Sequence, residues 1–171
     1  MSRSPFRTWL RAALLALFFT LALGCAEADQ QGPTGTVSWI YDGDTLKVDG
    51  IGKVRLLGID TPEKKDSSRD HYLQQQGVSS KVLRRMAKES LQFNIAEVKG
   101  KRVRLEFDGN RQDRHGRTLA YVYLPDGTLL NRLLIEKGYA VVYRRFDFRL
   151  KEDFLRAEAA ARDRRAGVWQ K

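Results

Sequence analysis

The sequence predicts an α+β domain, mainly β: a small five-stranded barrel carrying three helices. Three observations lead there. Short runs of period-two hydrophobicity come early in the chain, Asp-Gly dipeptides that favour tight turns separate them, and the helical segments arrive late instead of alternating with strands as βαβ units would require. A five-stranded, partly open barrel of the OB type is one architecture that fits, and such barrels commonly bind oligonucleotides.

The first three strands are TVSWIYD, DTLKV and KVRLLGI, broken at Asp42-Gly43 and Asp49-Gly50. The stretch 63–77, EKKDSSRDHYLQQQG, is polar, has no period and reads as a loop, with His71 solvated; loops of this length are often functional. From Val78 the apolar spacing turns helical through Val82, Leu83, Met86, Ala87 and Leu91, until Lys99-Gly100. KRVRLEF and TLAYVYL are the fourth and fifth strands, joined by DGNRQDRHGR. NRLLIEKG is a short amphipathic helix closed by Gly138. KEDFLRAEAAARDRRAG is the last helix, with Phe154, Ala157 and Ala161 at helical spacing, after which Val168-Trp169 is expected to fold back as core. No internal repeat is visible.

The chain opens with a leader. MSRSPFRTWLR carries three arginines and no acid, and the apolar stretch 12–23 follows, too short for a spanning helix of about 20 residues before charge resumes at Glu27. LALGC resembles a lipobox, which would make 1–24 a signal peptide and Cys25 a lipidated residue followed by a tether up to residue 33. Cys25 is the only cysteine of the chain, and lipidation would account for it. Ala26-Glu27-Ala28 is a competing cleavage site that would discard Cys25. Either outcome exports the protein, lipid-anchored to the cell envelope in the first case, periplasmic or secreted in the second.

The remaining domain, 34–171, is the size of a single unit and has no cysteine to pair, so it must fold on its apolar core. The full chain has 31 Lys+Arg against 21 Asp+Glu, and removing Arg3, Arg7 and Arg11 with the leader leaves 28 against 21. That excess favours an anionic partner, nucleic acid or anionic lipid. The basic run Arg144, Arg145 and Arg149 reads as a solvated face, with a substrate edge as the alternative.

Three clusters fall at strand ends: Asp42-Gly43-Asp44-Thr45, Arg55 with Asp60-Thr61-Pro62-Glu63, and Asp113-Arg114-His115-Gly116-Arg117. Each alone is an ordinary turn. Together they hold what phosphodiester cleavage needs, because the five-coordinate transition state gathers negative charge that a site must neutralise. A hard divalent cation on oxygen ligands would do so, with Asp44, Asp60 and the Thr61 carbonyl as donors; two scattered histidines and no mature cysteine do not suit zinc. The planar forks of Arg55 and Arg117 suit phosphoryl oxygens, and Glu63 is left to act on water. One geometric condition applies. Arg55 and Asp60 are five apart, so a regular strand sends them to opposite faces, and only a bend at Gly58 lets them share a site.

At these residues the chain resembles the thermonuclease family of staphylococcal-nuclease-like domains. The matching segments are DGDT, RLLGIDTPE, the DxxGR that ends in Arg117 followed by LAYVY, and NRLLIEKGYA, in consistent order from about Thr34 to Trp169. The resemblance implies an OB-fold with three helices and calcium-dependent (Ca2+) hydrolysis of DNA and RNA. It further implies calcium ligation by Asp44, Asp60 and the Thr61 carbonyl, phosphate contact by Arg55 and Arg117, and Glu63 as general base. His115 stands where the family often has tyrosine, and Arg144, Arg145 and Phe146 replace expected tyrosines near Tyr143. Lys64, His115 and Tyr143 are therefore candidate substrate contacts, and the chain is expected to be a monomer. The alternatives are an OB-fold module that holds single strands without cutting, and a basic envelope protein that binds anionic lipid or polymer.

Overall fold

The computed structural model describes residues 32–170; Cys25, the leader and the first part of the tether lie outside them. Alternation builds the barrel. In β1 (Thr34–Ile40), β2 (Thr45–Val48) and β3 (Gly52–Leu56), Val37, Ile40, Leu46, Val48, Val54 and Leu56 point into the core, while Trp39, Lys47 and Lys53 are exposed on the other face. Antiparallel register sets Trp39 opposite Lys47, Lys47 opposite Lys53 and Thr45 opposite Arg55.

Two later strands complete the barrel, β5 (Arg102–Glu106) and β6 (Thr118–Tyr123). β6 runs parallel to β3 and antiparallel to β5, and β5 returns to β1, giving the closed order β1-β2-β3-β6-β5. The sequence suggested a partly open barrel. A register slip between Val37 and Trp39 lets β1 serve two partners, its first half pairing with β5 and its second with β2, so the ring closes.

Four helices surround it: α1 (His71–Gln75), α2 (Ser80–Glu97), α3 (Leu130–Glu136) and α4 (Lys151–Asp163). The last three are the expected ones. The Ser79 hydroxyl caps α2 by accepting from the Val82 amide, and Leu83, Met86, Ala87, Ser90 and Asn94 form its buried face. α1 corrects the reading of 63–77 as an unstructured loop. The Ser67 hydroxyl accepts from the Arg69 amide and starts a 3-10 turn over Ser68–Asp70, which leads into α1. Leu73 then buries against Leu83, Met86 and Val168, so the segment is a folded insert. A single helical turn carries no readable period, and for that reason it was missed. His71 is exposed at the start of α1, as expected, and Val168 is buried behind Trp169. Among the described residues no helix is long and apolar enough to cross a membrane.

A second, two-stranded sheet decides the site. KVRLLGI reads as one run, but β3 stops at Leu56, and the chain turns through Leu57 and Gly58 before β4 (Ile59–Asp60) pairs antiparallel with β7 (Val141–Val142). Gly58 has φ of +80°, a region open to glycine at little cost, and a Cβ there would lie 2.6 Å from the Phe148 ring. The buried Asn131 of α3 holds this turn. Its amide donates to the carbonyls of Leu57 (2.9 Å) and Ala120 (3.2 Å), and its oxygen accepts from the Val122 amide (3.0 Å). Asn131→Ala leaves those buried groups unpaired, and urea denaturation is expected to show a loss on the order of 3 kcal/mol.

Candidate active site

The site forms where β2, the β3–β4 turn and the start of β6 meet. Asp44 is buried, and its Oδ2 accepts from the Thr61 amide (3.1 Å) and hydroxyl (3.0 Å). Its Oδ1 accepts from the Thr45 hydroxyl (3.0 Å) and pairs with Arg55 Nη1. The Asp44 amide in turn donates to Asp42 Oδ1 (3.1 Å), an Asx-type turn that fixes the loop before β2. Helix α2 presses on that loop. The Asn94 amide group donates to the Gly43 carbonyl (2.8 Å), and a Cβ at Gly43 would lie 2.4 Å from Ser90 Oγ and 2.8 Å from Thr61 Cγ2, so no larger residue fits between helix and site.

The bend at Gly58 meets the condition set by the spacing of Arg55 and Asp60. Arg55 Nη2 donates to the Ile59 carbonyl (3.0 Å) and to Asp60 Oδ1 (2.7 Å), while Nη1 lies against Asp44. Burial pulls the Arg55 guanidinium below the ordinary arginine value, and Asp60 opposes that shift.

Asp60 Oδ1 also pairs with Arg69, whose other nitrogen pairs with Glu63 Oε1. Burial works against the Arg69 charge, but Asp60 and Glu63 outweigh it and raise its pKa above the ordinary value. Carboxylates and guanidiniums therefore alternate in the order Asp44, Arg55, Asp60, Arg69, Glu63. Arg117 joins at the other end through a weak contact to the Thr45 hydroxyl (3.5 Å). It is held by Asp113, whose Oδ2 accepts from Arg117 Nε (2.7 Å) and whose Oδ1 accepts from the amides of His115 (2.8 Å) and Arg117 (3.0 Å). Burial pushes the Asp113 carboxyl up, yet these hydrogen bonds together hold it below its usual value.

All six main candidates, Asp44, Arg55, Asp60, Thr61, Glu63 and Arg117, thus meet in one region. The secondary candidates divide. His115 and Tyr143 line a cavity of about 740 Å³ with Arg55, Asp60, Arg69 and Arg117. Lys64 lies on the opposite flank, in a cleft of about 330 Å³ with Asp44 and Glu63, where its Nζ donates to the Tyr41 carbonyl (3.0 Å). The basic run Arg144, Arg145 and Arg149 is exposed, as expected, and two of its three members also hold ion pairs. Arg144 pairs with the buried Glu158 and lies over the Tyr72 ring, Arg149 pairs with Glu106, and Arg145 lines the cavity without an ion pair among the described residues.

Sequence reasoning missed Arg69, Asp70 and Arg84. Asp70 is buried, accepts from the Glu63 amide (3.1 Å) and pairs with Arg84 of α2, so it ties the residue proposed to act on water to a helix. The Ser67 cap was the one local signal for this turn. A partner fourteen residues away has none.

Asp44 and Asp60 converge on one guanidinium, so each already depends on positive charge between them, and both offer the hard oxygens that calcium takes. Among the described residues no three His, Cys, Asp or Glu side chains gather to hold a metal ion, so the side-chain donors offered here are the two aspartates. Thr61 contributes its amide and hydroxyl to Asp44, which orients the carbonyl-bearing backbone beside it.

Fold and site together define a closed OB-type barrel with an arginine–carboxylate cluster at its mouth. Residues 53–171 match the family described as staphylococcal nuclease homologue. The chain is 32% identical over 152 residues to a thermonuclease of Staphylococcus hyicus, covering 85% of this chain and 80% of that one. It is 36% identical over 147 residues to an uncharacterized protein of Methanocaldococcus jannaschii, covering 79% and 70%. To the endonuclease YncB of Bacillus subtilis it is 32% identical over 142 residues, covering 80% of this chain and 61% of the relative. The chain belongs to the staphylococcal nuclease family.

Proposed function

We propose that the protein is a calcium-dependent nuclease that hydrolyses phosphodiester bonds of DNA, RNA or both outside the cytoplasm. The observation that carries this is the alternating chain from Asp44 to Glu63 with Arg117 beside it, since it gathers two candidate metal ligands, two phosphate-binding arginines and a base, with Arg69 holding Asp60 and Glu63 together. Asp44, Asp60 and the Thr61 carbonyl would hold calcium, which when bound supplies positive charge to the phosphodiester and polarises water. Arg55, which ties Asp44 to Asp60, and Arg117, beside Thr45, would supply positive charge to the phosphoryl oxygens. Glu63 takes the proton of the attacking water; Oε1 faces Arg69, so Oε2 is the accepting atom. Asp113 and Asp70 position Arg117 and Glu63 respectively.

All these side chains come from one chain, which suits a monomer. The leader and Cys25 support export and a lipid anchor at the cell envelope, and the basic excess supports an anionic polymer as substrate. Purified protein incubated with single-stranded and duplex DNA and RNA is expected to cleave at least one of the four with calcium and none with chelator. Binding without cleavage on all four would replace the nuclease by a non-cutting single-strand-binding module.

A further inference from the structure

Beyond the cluster, the outer face of β1–β3 carries a feature that the proposed reaction does not use. Alternation puts Thr45 and Lys47 of β2 on that face, and register puts Arg55 and Lys53 of β3 beside them. β1 adds an aromatic ring to each row. Trp39 is opposite Lys47, and the Tyr41 amide donates to the Thr45 carbonyl (3.0 Å). Two rows result: Tyr41, Thr45 and Arg55 at the site, then Trp39, Lys47 and Lys53 about 6.6 Å further along the strands.

The second row is exposed, cationic and aromatic. Its Trp39 is 53% exposed and Tyr41 of the first row 39%, in a protein whose other large apolar side chains are mostly buried. Lys53 Nζ lies 4.4 Å from the Tyr41 ring centroid and Lys99 Nζ lies 5.0 Å from that of Trp39. Among the described residues no acid pairs with Lys47, Lys53 or Lys99; the neighbouring Glu97 is taken by Lys101. The first acid on this face is Asp49, the next outward position of β2, in the turn that ends it. Tyr41 also lines the cleft that holds Asp44, Glu63 and Lys64, so the face is continuous with the site.

We infer that this face is a track for single-stranded nucleic acid leaving the site, with bases stacked on Tyr41 and Trp39 and the backbone followed by Lys53, Lys47 and Lys99. Exposed rings beside cations that no acid neutralises are what an unpaired strand needs, since each ring has a face open to a base once the lysine over it turns to a phosphate. The inference builds on the nuclease reading for its direction. Affinity for a 20-nucleotide single-stranded DNA and for a trinucleotide, measured in chelator so that nothing is cut, tests it. Trp39→Ala is expected to weaken the 20-mer about tenfold, Trp39→Phe to recover most of that loss, and Lys47→Ala with Lys53→Ala to flatten the dependence of log affinity on log salt by about 0.7 per lysine. The ratio of 20-mer to trinucleotide affinity falls in each alanine variant. Unchanged 20-mer affinity overturns the track, as does an equal loss for the trinucleotide, or a loss confined to binding of anionic phospholipid vesicles. If the wild-type protein cuts no nucleic acid the nuclease reading falls, and the affinity ratios still decide the track.

Discussion

Glu63→Gln and Arg117→Ala are each expected to lower calcium-stimulated cleavage by about 10²- to 10⁴-fold while the protein stays folded. Glutamine keeps the shape of Glu63 but accepts no proton from water. Its side chain is a third exposed and its ion partner Arg69 about half exposed, so the lost pair contributes at most about 1 kcal/mol to stability. Arg117 is likewise at the edge of the cluster, with one aspartate as its partner and the cavity before it. Arg55 is a poorer test. Its removal strands the carboxylates of Asp44 and Asp60 without their shared cation, and breaking such a buried arrangement costs about 3–5 kcal/mol, so lost activity would be confounded with lost fold. Single-turnover rates at saturating nucleic acid, with thermal melts as the fold control, separate the two effects. Near wild-type rates in either variant would remove the role assigned to that residue.

The second large effect belongs to a residue with no side chain. Gly58→Ala places a Cβ 2.6 Å from the Phe148 ring and forces an L-residue to φ of +80°. The left-handed conformation costs about 1–2 kcal/mol and the overpacking about 1–3 kcal/mol, for a total on the order of 3 kcal/mol by urea denaturation. Relief of either strain moves Ile59 and Asp60 away from Val142 and Val141, and with them the contact between Arg55 and Asp60. Cleavage is therefore expected to fall at least tenfold even under conditions where the variant remains folded. A Gly58→Ala protein as stable and as active as wild type would show that the bend does not build the site.

This dependence on one bend explains why the site was partly legible in the sequence. The five barrel strands and three longer helices announce themselves by period, and the charged clusters stand at strand ends where turn residues are common. The need for a break at Gly58 followed from the five-residue spacing of Arg55 and Asp60 and the two-residue period of a strand. What holds the break did not. β4 and β7 are two residues each, too short to show any period, and they pair across more than eighty residues of chain. The Asn131 clamp and the Asp70–Arg84 pair are likewise long-range contacts between residues whose own surroundings look ordinary. Arg144 is a related case: it is exposed, as a basic run suggests, yet α4 brings the buried Glu158 to it from fourteen residues away.

In the proposed function, the turn after β3 brings Asp60 beside the guanidinium that Asp44 also contacts, so that the two carboxylates hold one divalent cation. Calorimetric titration of calcium into the wild-type protein and into Asp44→Asn and Asp60→Asn measures this without relying on catalysis. Asparagine keeps the size of each aspartate, and at Asp44 its amide oxygen still accepts from the Thr61 amide and hydroxyl, while the charge is removed. One calcium per chain is expected for the wild type, with binding lost in Asp44→Asn and at least tenfold weaker in Asp60→Asn. Absence of calcium binding by the wild type, or equal binding by all three proteins, would contradict the account.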